Sequence, residues 1–96
     1  MNPEERVRFV VETAKAVIEG RISPEEGAAA VTLQAEQITH QLRSDRNDVT
    51  RSEAESVATR LRMLAEQVND EASGLADPEA HLAIAKAIGE MGQALR

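Results

Sequence analysis

The chain has 96 residues, no cysteine and a formal net charge of −6. It is long enough for one cored domain spanning 1–96, since chains usually need metal or disulfide staples only below about 40 residues. Without cysteine there is no disulfide framework, thiolate metal site or thiol nucleophile. The acidic balance and a single aromatic residue, Phe9, argue against a nucleic-acid or anionic-membrane surface, which needs basic stripes and stacking rings.

No apolar run approaches the roughly 18 residues of a membrane span. The N-terminus Met1-Asn2-Pro3-Glu4-Glu5 is acidic rather than the basic start of a signal peptide. These features predict a soluble, cytoplasmic chain.

Three helix starts share one design: Asn2-Pro3-Glu4-Glu5, Ser23-Pro24-Glu25-Glu26 and Asp77-Pro78-Glu79-Ala80. Each places a capping side chain before a proline, with acid in the first turn. The cap oxygen accepts an orphan N–H, proline at N1 lacks only a donor that had no partner, and the carboxylates face the positive end of the dipole. A fourth start, Thr50-Arg51-Ser52-Glu53, is a capping box without proline.

The first helix, about 3–20, gathers Val7, Val10, Val11, Ala14, Val17 and Ile18 on one face and stops at Gly20, a residue suited to a left-handed C-cap. The link Gly20-Arg21-Ile22-Ser23 is short, so the next helix returns antiparallel. That helix, about 24–43, carries Ala28, Val31, Ala35, Ile38 and Leu42.

Ser44-Asp45-Arg46-Asn47-Asp48-Val49 is polar and aperiodic, the tip of a hairpin. Beyond it a helix over about 51–73 aligns Ala54, Val57, Ala58, Leu61, Leu64, Ala65, Val68 and Ala72 at alternating spacings of three and four. It ends at Ser73-Gly74-Leu75, with Gly74 expected at C′ and Leu75 folded back on the last turn. The last helix, about 78–95, gathers Ala80, Ile84, Ala87, Ile88, Met91 and Leu95. A second line, Ala85, Gly89 and Gly92, would let another backbone approach.

The fold class predicted is all-α: an antiparallel four-helix bundle, with the second and third helices as the central hairpin and the first and fourth covering it. The same periodicities allow a three-helix core with one helix exchanged between subunits.

Each helix also has one large apolar residue far from its own stripe: Phe9, Leu33, Met63 and Leu82. Singly, exposed apolar residues are ordinary on soluble proteins. Together, and beside an alanine-rich core, they predict a surface that buries against a partner or a second copy. Arg43, Arg46 and Arg51 surround the hairpin tip, where an acidic or phosphorylated group could dock, although Asp45 and Asp48 answer their charge locally.

His40 and His81 are the only candidates for metal ligation, paired at helical spacing with Glu36 and Asp77. Both histidines are expected on solvent faces, and no metal or other cofactor is expected. No nucleophile–base pair or glycine-rich phosphate loop is present in the sequence, so no enzymatic activity and no small-molecule substrate are inferred. The function these features predict is a small acidic protein–protein interaction or regulatory module that self-associates. An acidic decoy that occupies a basic, nucleic-acid-binding partner is the first alternative, and a helical metal or small-ligand protein is the second.

Overall fold

The computed structural model describes residues 3–44 and 51–95, which form four helices. They are α1 (Pro3–Ile18), α2 (Pro24–Ser44), α3 (Arg51–Ala72) and α4 (Glu79–Leu95). No strand occurs among the described residues. The molecule measures 42 × 20 × 17 Å, a cross-section two helices deep each way at the usual interaxial spacing of about 8–10 Å.

Local chemistry sets the ends. At Gly20 φ is +77°, and the Arg21 N–H reaches the Ala16 carbonyl at 2.8 Å while the Gly20 N–H reaches that of Val17 at 3.1 Å. This is a Schellman cap, and it closes α1 two residues before the expected bound. The Ser23 hydroxyl accepts the Glu26 N–H at 3.2 Å, with Pro24 at N1 as its spacing predicts.

The same tripeptide pattern behaves differently at Asp77. The Pro78 carbonyl accepts the first helical bond, from Leu82 at 2.9 Å, so Pro78 is the N-cap and Glu79 is N1. Asp77 Oδ1 meets the Glu79 N–H at 3.4 Å from one position further out. The α3 terminus also departs from expectation. Gly74 has no positive φ, the chain leaves by tight bonds from Gly74 to Glu71 and from Leu75 to Ala72, and Leu75 is exposed. The expected caps Asn2 and Thr50 lie outside the described residues.

The core follows the predicted stripes. Val10, Ala14, Val17, Val31, Ala35, Ile38, Ala54, Leu61, Leu64, Val68, Ile84, Ala87, Ile88, Met91 and Leu95 form one buried cluster. The Leu42 side chain lies outside the described residues.

The arrangement of the helices differs from the predicted central hairpin. α4 packs along both α3 and α2, while α1 packs on α2 and more lightly on α3. Among the described residues α2 and α3 scarcely touch and sit diagonally across the bundle. Ile84 stands beside Gly27, and Glu90 shares a cleft with Thr39, so α2 and α4 are neighbours running in the same direction. A helical wheel shows how wide an apolar face is and leaves open which helix covers it. α4 is the most completely buried element, with His81, Ala85 and Gly92 inside as well as Ile84, Ala87, Ile88, Met91 and Leu95 of its predicted face, while Ala80 is half-buried.

Two glycines explain how closely the helices approach. A Cβ built on Gly27 would overlap a methyl of Val17, so only glycine lets α1 and α2 meet there. At Gly92 an added Cβ would lie 3.7 Å from the Ala58 carbonyl oxygen, ordinary contact distance, which shows α4 seated close on α3. Gly89 has nothing within 4 Å of such a Cβ, so only part of the predicted small-residue line is a packing surface.

Candidate functional site

α1 and α2 meet around one cation. The Arg6 guanidinium donates from Nη1 to Oε1 of Gln34 at 2.8 Å and to Oε1 of Gln37, and from Nε to Oε1 of Gln41 at 3.1 Å. Gln34, Gln37 and Gln41 are spaced three and four apart, so α2 presents one line of amide oxygens to α1. The buried Gln34 is thereby satisfied, and among the described residues no carboxylate neutralises Arg6. Its Nη2 likewise has no acceptor among them. Gln37 and Gln41 are the legible trace of this network in the sequence, but the periodicity of apolar residues passes over them.

Phe9 lies one turn from Arg6 on α1, and Leu33 one turn from Gln37 on α2. The register set by the Arg6 bonds and by Val17 against Gly27 brings Phe9 level with Leu33. Phe9 is 41% exposed and Leu33 50%, so two large apolar side chains stand on the outer surface of one helix pair, beside a cation held by neutral amides. Ala16, two turns further along the same line of α1, is buried. Glu12, one turn beyond Phe9, is exposed and makes no ion pair among the described residues.

Met63, on α3, and Leu82, on α4, are exposed as expected and stand on the other two helices. Arg46 lies outside the described residues, as do the side chains of Arg43 and Arg51, so the expected arginine-bearing tip is not part of the site geometry.

The histidines separate. His40 is exposed on α2, where Ala35, Glu36, Thr39 and His40 line an open cleft with Glu90 of α4. No group of three histidine or acidic side chains placed to hold a metal ion occurs among the described residues. His81, expected on a solvent face, is instead 6% exposed, and its Nδ1 is buried without a hydrogen-bond partner among the described residues. The reason is the breadth of α4's buried surface. His81 sits one turn before Ile84 and Ala85, both inside, and a helix covered by two neighbours has little solvent face to offer.

No described helix is long and apolar enough to cross a membrane. Compared with known proteins, the chain matches no family model, no curated protein and no solved structure.

Proposed function

We propose that this chain is a small acidic protein–protein interaction module that self-associates through the outer surface of α1 and α2. The observation that carries this reading is the pairing of Phe9 and Leu33. The chain's one aromatic residue is 41% exposed while the smaller side chains of α1 fill the core, and a second large apolar residue stands level with it on the next helix. Aromatic anchors next to an arginine are the residue types that dominate the energetics of protein interfaces. An alanine-rich interior adds reason for association, since each small side chain removes little area from water, at about 25 cal/mol per Å².

Phe9→Ala and Leu33→Asp test the reading, because neither side chain belongs to the buried cluster. Sedimentation velocity at tens to hundreds of micromolar should show a concentration-dependent shift above monomer for the wild-type chain, and a loss of that shift in both variants with helical circular dichroism retained. A wild-type chain that sediments as a monomer throughout would contradict it.

A further inference from the structure

We propose that the occupant of this surface is a second copy of the chain, docked antiparallel so that α1 crosses α1 of its partner at Phe9, with Arg6 of each copy paired to Glu12 of the other. The proposal rests on the self-association just described and adds to it a specific geometry.

The pattern of α1 carries it. Arg6, Phe9 and Glu12 follow one another at intervals of three, so on the wheel Arg6 and Glu12 flank Phe9 by about 60° on opposite sides and one turn away in opposite directions. A line of this kind, cation–aromatic–anion, is self-complementary when turned end for end about its middle residue. An isologous two-fold contact makes that rotation, since residue i meets j wherever j meets i. A parallel docking would instead set Arg6 against Arg6 and Glu12 against Glu12, and like charges in apposition disfavour it.

The rest of the subunit leaves both charges available for this pairing. The guanidinium of Arg6 is oriented by the three glutamine oxygens through Nε and Nη1, while Nη2 has no acceptor among the described residues. Amides hold a guanidinium in place without neutralising it, so a carboxylate from outside adds what the glutamines omit. Glu12 is exposed and makes no ion pair among the described residues. By contrast the neighbouring exposed Arg8 is engaged with Glu4 at 3.6 Å, and Arg21 with Glu19 at 2.9 Å. Phe9 of the two copies then meets at the centre of the contact, with Leu33 of each beside it, and the two charge pairs lie at its edges. The formal charge of −6 on each copy opposes association in general. Two cross-subunit ion pairs at the contact itself offset that repulsion locally and select this register over others.

Charge reversal with mixing tests the register. Arg6→Glu alone gives a homodimer in which carboxylates at positions 6 and 12 face each other, and Glu12→Arg alone sets guanidinium against guanidinium at the same two positions. Each should raise the dissociation constant about tenfold. Mixed in equal amounts, the two variants form a heterodimer in which both cross-subunit pairs are opposite in charge, so mixing should restore association close to that of the wild-type chain. The double variant Arg6→Glu/Glu12→Arg carries the exchange within one chain, restores both opposite-charge pairs across the two-fold, and should sediment as a dimer near the wild-type concentration dependence. The glutamine amides can rotate to present N–H to a carboxylate at position 6, and Glu12 makes no ion pair among the described residues, so Glu12→Arg carries the test even where Arg6→Glu lowers stability. A wild-type dimer that neither reversal weakens, or a double variant no more associated than the two single reversals, overturns this geometry while leaving self-association standing. A wild-type monomer overturns both.

Discussion

Gly27 faces a β-branched side chain whose χ1 is stiff, so Val17 cannot turn its methyl aside to admit a Cβ. Gly27→Ala should destabilise the chain by about 1–3 kcal/mol in urea unfolding. Gly89→Ala should act in the opposite direction and add about 0.5–1 kcal/mol, because the position is helical and the added methyl meets nothing. The two glycines look alike in the sequence, and only the neighbour across the helix interface tells them apart. His81 is a similar case. A buried nitrogen without a partner costs about 1–3 kcal/mol, so His81→Leu should leave stability unchanged or raise it when measured by urea midpoint. Lower stability would show that the imidazole makes a contribution its missing bond conceals. Phe9 and Leu33, in contrast, are recognisable as outward residues from α1 and α2 alone, since each opposes its own helix's stripe.

At the scale of the helices, the bounds are legible because capping chemistry is local: Ser23 and Gly20 declare themselves within four residues. Partnership between helices is not local, and the expected α2–α3 hairpin core is replaced by α4 lying against both. That difference decides where stability resides. Ile84, Ile88 and Met91 are fully buried along α4, so Ile88→Ala should cost about 2–5 kcal/mol, whereas Val11→Ala at the half-buried edge of α1 should cost less. Native-state hydrogen exchange should accordingly find the slowest amides in α4 and the facing turns of α3, with α1 opening first. Slowest exchange in α1 would show that its contacts with α2, the Arg6 network included, hold the bundle together.

For the molecule as a whole, the inner wall and the outer surface are built from different residues. The stripe of Leu61, Leu64 and Val68 on α3 is enclosed by α4 and serves the fold, and nothing of it is left to meet a partner. Phe9, Leu33 and Glu12 are exposed on α1 and α2, outside the buried cluster, and Arg6 lies half-buried between the two helices. The apolar half of that surface could be read from helical periodicity. Its polar half could not, because the Arg6 bonds join residues 28 to 35 positions apart on two helices. If the surface joins two copies without supporting the fold of either, assembly and stability should respond separately to its loss. Sedimentation equilibrium on the wild-type chain and on the Phe9→Asp/Leu33→Asp double variant, paired with urea unfolding of both at a concentration where each is monomeric, separates the two. The expected result is a wild-type mass approaching twice that of the chain at high concentration, a variant that stays at the mass of one chain, and matching urea midpoints. A wild-type mass that never exceeds one chain, or a variant that still doubles, would contradict the proposed assembly.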